Sequence, residues 1–114
     1  KFLIVDAGMN DLMRPSLYSA RHKIENLVES SEKKDLYSVV GPVCETADSF
    51  GSDFEVSANA GDYLVVYSAG AYGSSMGSNY NTRLKPAEIL VDQKSHKVIR
   101  KAETFDDLIK EEEL

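Results

Sequence analysis

The chain has 114 residues, 42% hydrophobic and 28% charged, which suits one modest folded domain (1–114) and excludes a disordered or collagen-like polymer. Its 13 Lys+Arg against 19 Asp+Glu give −6, and residues 103–114, with six acids and one base, supply most of it. The remainder is nearly neutral, which argues against a nucleic-acid surface, and no apolar run approaches the ~20 residues of a membrane span.

Lys1 leads at once into Phe2-Leu3-Ile4-Val5, a buried-strand pattern that Asp6-Ala7-Gly8 ends with turn residues. Chains seldom begin inside a core strand, because termini fray, so the sequence reads as the C-terminal piece of a longer protein. Asn10 to Tyr18 predicts a short helical turn, with Asn10 or Asp11 as its cap and Pro15 early in it. Ala20, His22, Ile24 and Asn26 alternate with Arg21, Lys23 and Glu25, which predicts a half-buried strand. Residues 29–35 read as a polar loop, Leu36 to Val40 as a strand, and Gly41-Pro42 as its stop. Asp48 to Asp53 reads as a second polar loop.

Asp62 to Ser68 (DYLVVYS) is the strongest strand pattern, whereas Ala69 to Asn81, rich in Gly, Ser and Asn, cannot be regular throughout. Ala87 to Val91 and His96 to Lys101 predict a hairpin joined by residues 92–95. Thr104 is placed to cap a terminal helix by accepting from the Asp107 amide, with Leu108 and Ile109 turned toward the core. Roughly six strands, short helices and no internal repeat predict a mainly β, Greek-key-like barrel or sandwich with a C-terminal helix.

Three segments have compositions that packing does not explain. Residues four apart on a helical turn share a face, so Arg14 and Tyr18 would point the same way. A guanidinium with two parallel N–H groups beside a phenol suits a carboxylate, although the same pair also reads as a surface arginine packed on a ring. In the second segment, Cys44 is followed by Glu45. Neighbouring negative charge keeps a thiol protonated, which suits a proton donor; the alternative is an inert thiol acting as a small hydrophobe. Having Cys44 alone leaves no internal disulfide, which suits the cytoplasm, and Cys44, His22 and His96 lack metal-ligand spacing. In the third segment, Tyr72 stands between Gly70 and Gly73, where small residues let a backbone approach a ligand. The glycine spacing fits neither a Walker loop nor a dinucleotide fingerprint, and Tyr72 also reads as a turn aromatic covering a barrel end.

Together, VDAGMNDLMRPSLY (5–18), GPVCETAD (41–48), GDYLVVYSAGAYGSSMGSNYNTR (61–83) and PAEILVD (86–92) run in order through nearly the whole chain. They resemble the C-terminal domain of diaminopimelate decarboxylases. The resemblance implies a pyridoxal-phosphate-dependent enzyme of the alanine-racemase-like class, with an N-terminal (β/α)8 barrel and a C-terminal β domain. It implies conversion of meso-2,6-diaminopimelate to L-lysine and CO2 in lysine biosynthesis.

By the same resemblance, Arg14 and Tyr18 would grip the distal carboxylate of the substrate, and Glu45 would contact its distal amino group. Cys44 would be the proton donor, and Tyr72 would lie near cofactor and substrate. Cys44 and Glu45 would reach the partner's pocket, which implies a homodimer with shared active sites. Thr46 stands where the family usually has Ser. None of the nine lysines matches the family's Schiff-base lysine, so the isolated chain is expected to be inactive. Two other readings stay open: a non-catalytic β module for dimerisation or ligand binding, and a related decarboxylase with another amino-acid substrate.

Overall fold

Val39 and Val56, each 1% exposed, lie with Phe50 and Phe54 along two neighbouring strands whose alternate side chains turn inward. The computed structural model describes residues 1–29 and 33–113. Its elements run β1 (Phe2–Ile4), α1 (Arg14–Tyr18), β2 (Ile24–Asn26), β3 (Asp35–Val40), β4 (Ser49–Val56), β5 (Leu64–Val66) and α2 (Gly73–Met76). A 3-10 turn at Tyr80–Thr82 leads to β6 (Glu88–Asp92), β7 (Ser95–Arg100) and α3 (Phe105–Ile109).

Contacts gather these elements into two units, Lys1–Gly77 and Ser78–Leu114. In the first, β1 pairs parallel with β3 and β3 antiparallel with β4, giving the sheet order β1-β3-β4. A second sheet pairs β2 antiparallel with β5, Ile24 opposite Val66 and Asn26 opposite Leu64. Leu12, Ile24, Val39, Phe50 and Phe54 form the core, so the turn before α1 and both sheets contribute. Burial of each such side chain is worth about 1.5–3 kcal/mol, the main force holding the unit together. His22 is buried beside this core, its Nδ1 donating to the Tyr67 carbonyl at 3.0 Å.

The second unit carries the β6–β7 hairpin, whose Asp92–Ser95 pairing leaves a two-residue turn at Gln93 and Lys94. Gln93 takes φ +42°, the left-handed backbone such turns require. Glu103 closes the unit: its amide donates to the Lys85 carbonyl and its carboxylate accepts from the Lys85 amide, both at 3.0 Å. The Lys85 amide, with help from the Asn79 side chain, holds the Glu103 carboxyl below its usual range.

The mainly β class, the hairpin and the capped terminal helix agree with the sequence reading; several details differ. The described strands form three separate sheets and no closed barrel. Residues 49–56, read in part as a polar loop, are β4, the longest strand. Gly51 (φ +119°) and Asp53 (φ +60°) break its regularity, and the Arg21 guanidinium donates to the Ser52 and Asp53 carbonyls at 2.8 and 3.2 Å. The Gly-Ser-Asp run that permits these bends reads as a loop, while Phe50, Phe54 and Val56 stay buried.

Met13, not Asn10 or Asp11, stands at the cap position of α1 and makes no side-chain cap. The Asp11 carboxylate instead accepts from the Gly8 amide at 2.8 Å, closing the turn that precedes the helix. The alternation read at 20–26 persists in burial from Ala20 to Ile24 and ends at half-buried Glu25 and Asn26, and the ladder is confined to β2, as DYLVVYS is confined to β5. Of the loop read at 29–35, residues 30–32 lie outside the described residues.

Candidate functional site

Pro15 sits in the first turn of α1, where its missing N–H leaves no intrahelical bond unmade, so Arg14 begins the helix. Tyr18 ends it, 62% exposed, before Ser19 turns into left-handed backbone. The aromatic ring beside the Arg14 guanidinium is Tyr72, its centroid 5.4 Å away, which joins the 69–73 turn to α1. Such a cation–π contact is worth about 0.5–1 kcal/mol at an exposed site.

Cys44 and Glu45 project from the loop that follows β3, with the Cys44 thiol free and exposed. Two side chains dock this loop. Ser16, on α1, donates from Oγ to the Ala47 carbonyl at 2.6 Å. Asp48, 4% exposed, accepts from the Met9 amide at Oδ1 and from the Val43 amide at Oδ2, both at 2.7 Å. The backbone of Asp48 also accepts from the Gly41 amide at 3.1 Å. A methyl group at Gly41 would overlap the Asp48 carboxylate, so only glycine fits where β3 stops. Gly8 lies under the same constraint, since a Cβ there would come within 2.8 Å of Asn10 Oδ1 and Val43 Cγ2.

Glu45 bends back on its own loop: its Oε1 accepts from the Ala47 amide and the Thr46 hydroxyl, each at 3.2 Å. The hydroxyl retained at Thr46 thus braces this carboxylate. The structure therefore brings Arg14 against Tyr72 and ties α1 to the loop bearing Cys44 and Glu45, while Tyr18 stands at the far end of α1. Ser16 and Asp48 were not singled out from the sequence. The only local trace of Asp48's role is the pair of glycines, Gly8 and Gly41, that clear space around it.

The arrangement offers a cation with parallel donors, a phenol, a thiol and a carboxylate on three segments, α1 joined to the Cys44 loop by a hydrogen bond and to the Tyr72 turn by the cation–π contact. A family model described as pyridoxal-dependent decarboxylase, C-terminal sheet domain, matches residues 1–70. Diaminopimelate decarboxylase of Neisseria meningitidis serogroup B is 51% identical over 106 residues, covering 92% of this chain and 25% of the relative. That of Aquifex aeolicus is 50% identical over 109 residues, covering 95% of this chain and 26% of the relative. The chain thus spans about a quarter of the length of these relatives.

Among solved structures, diaminopimelate decarboxylase from Methanocaldococcus jannaschii superposes with a TM-score of 0.93 at 41% identity, over 99% of this chain and 26% of that one. The Helicobacter pylori enzyme complexed with L-lysine gives 0.89 at 46% identity, over 97% and 28%. Sequence, domain model and backbone agree, and the chain belongs to the pyridoxal-dependent decarboxylases as their C-terminal sheet domain.

Proposed function

We propose that this chain is part of a cytoplasmic, homodimeric diaminopimelate decarboxylase, which removes CO2 from meso-2,6-diaminopimelate and leaves L-lysine. One observation carries the reading: the Ser16–Ala47 hydrogen bond docks the Cys44-Glu45 loop on the helix that bears Arg14. The residues so joined lie within the stretch where relatives of that name share about half their sequence.

A substrate with a carboxylate at each end needs a site that holds one while the other leaves. Arg14 supplies parallel N–H donors for the distal carboxylate, and the exposed Tyr18 phenol supplies another. Tyr72, against the same guanidinium, orients it and fills space that water would otherwise take. Glu45, held at the loop tip, suits the distal ammonium group. Loss of CO2 leaves a carbon that must take up one proton, and the exposed Cys44 S–H is the donor.

When bound, pyridoxal phosphate withdraws electron density from the reacting carbon. The residues of this cluster fit its surroundings and not its anchor. In the first unit Lys1 and Lys23 pair with Asp35 and Glu25, and Lys33 and Lys34 are exposed just before β3. By the resemblance to the family, the anchoring lysine belongs to the N-terminal barrel of the whole protein.

The test is Arg14→Ala in the complete protein. Binding of diaminopimelate should weaken far more than binding of L-lysine, which lacks the second carboxylate, by about 2–5 kcal/mol for a buried charged pair left unmatched. Equal losses for both ligands would remove Arg14 from the clamp. A substrate panel on the unmodified protein that favours another amino acid would replace the substrate assignment.

A further inference from the structure

Asn10 is 1% exposed, as deeply enclosed as Val39 and Val56 of the sheet. A carboxamide so placed normally finds a partner for each end. One end does: Nδ2 donates to Asp11 Oδ1 at 3.0 Å, and Asp11 Oδ2 in turn accepts from the Gly8 amide at 2.8 Å. The other end does not: Oδ1 is sealed from water and has no hydrogen-bond partner among the described residues. An apolar side chain of like size would fill the space without that cost, so the amide contributes something besides packing.

The surroundings of Oδ1 indicate what. A Cβ on Gly8 would lie 2.8 Å from both Asn10 Oδ1 and Val43 Cγ2, and 3.5 Å from Asp48 Oδ1. These three atoms therefore surround one point, the space that glycine leaves open. Val43, 8% exposed, immediately precedes Cys44, and its amide donates to Asp48 Oδ2. Clamped by Asp11 at one end, the planar amide rests its other end under the root of the Cys44 loop. The Asn10 main chain faces elsewhere: a Cβ at Gly77 would meet its carbonyl at 3.5 Å, at the end of α2. That contact, on the segment that follows Tyr72, does not depend on the side chain.

We propose that Asn10 is a positioning residue for proton delivery: as a rigid wedge between Gly8 and Val43 it sets where the Cys44 thiol stands. Asn10 itself touches no reacting atom. The inference rests on the reading that Cys44 gives the proton to the carbon that lost CO2. Proton transfer falls steeply when its donor is misplaced. The Arg14 contact with Tyr72, which orients the grip on the far carboxylate, does not involve the Asn10 side chain.

The experiment compares Asn10→Ala, Val43→Ala, the double variant and Cys44→Ala in the complete protein. Asn10→Ala should lower kcat about ten- to a hundredfold while KM for diaminopimelate stays within about twofold. Val43→Ala should act in the same direction, and the double variant should lose less than the product of the two, since both empty one contact. Lysine formed in D2O gives a readout that partial unfolding would not move. Its new C–D bond should have a single configuration in the unmodified protein and a mixed one in Asn10→Ala, as water takes over from the displaced thiol. Normal kcat in Asn10→Ala, independent effects at the two positions, or an unmixed C–D bond overturns the inference. If Asn10→Ala does not fold, Val43→Ala decides it by the same kcat and C–D readouts. Full turnover by Cys44→Ala removes the proton-donor role and the inference with it. A defect in Cys44→Ala beside an unaffected Asn10→Ala removes the inference alone.

Discussion

With both carboxylate oxygens bonded to backbone amides, Asp48 locks the turn at Met9 to the loop at Val43. Replacing it by alanine leaves two donors unmatched, each at a cost of about 1–3 kcal/mol. Asp48→Ala in the complete protein should therefore lower the melting temperature. It should also reduce kcat more than it raises KM, because the Cys44 loop loses its anchor while the Arg14 contact with Tyr72 remains. Asp48→Asn, which keeps one acceptor, should recover part of both. Thermal unfolding and steady-state kinetics check this, and unchanged kcat in a folded Asp48→Ala protein would make the residue merely structural. Arg14, Cys44, Glu45 and Tyr72 stood out in the sequence because each sits in a short stretch of unusual composition. Asp48 did not, since its partners lie 5 and 39 positions away and only folding brings them to it.

At the scale of elements, α3 shows what local chemistry makes legible. The Thr104 side chain accepts from the Asp107 amide at 3.2 Å, while the Asp107 carboxylate accepts from the Thr104 hydroxyl at 2.6 Å and its amide at 2.9 Å. All of this lies within three residues, so the cap could be read from the chain. Those bonds, the Thr104 hydroxyl first, hold the Asp107 carboxyl below its ordinary 3.8. A carboxyl depressed in the folded state contributes stability above its unfolded pKa and loses it as pH falls through the folded value. The end of α3 should thus loosen on acidification from near pH 4 downward. In Asp107→Asn it should already be loosened at neutral pH and show no acid step, as amide chemical shifts at Thr104 and Asp107 would report. Thr104→Ala should cost the helix about 1 kcal/mol. The strand β4 was illegible for the opposite reason. Ser52 and Asp53 imitate a loop, and the Arg21 donors that stabilise the bend come from 31 and 32 residues away.

For the whole molecule, the proposed dimer makes a quantitative demand. Cys44 lies on a loop that leaves the sheet at Gly41-Pro42 and ends exposed, so it can serve a neighbour's pocket. Consider two complete variants, Cys44→Ala and one lacking the cofactor lysine, each nearly inactive alone. Unfolded, mixed and refolded, about half of the dimers are hybrids by random pairing. Each hybrid has one pocket with both defects and one with neither, so activity should return to roughly a quarter of wild type. If Cys44 served its own subunit, mixing would restore nothing. Hybrid dimers confirmed by mass with no regained activity would remove the shared site.

The contact between Gly41 and the Asp48 carboxylate also constrains how such a sequence can drift. A side chain at 41 has no room until residue 48 shortens, and a shorter residue 48 abandons the amides of Met9 and Val43. Either change made first passes through a damaged loop, so the two positions are coupled rather than independent. Neutral change passes freely only where a side chain has no such interlocked partner. Around Cys44 it meets a ratchet.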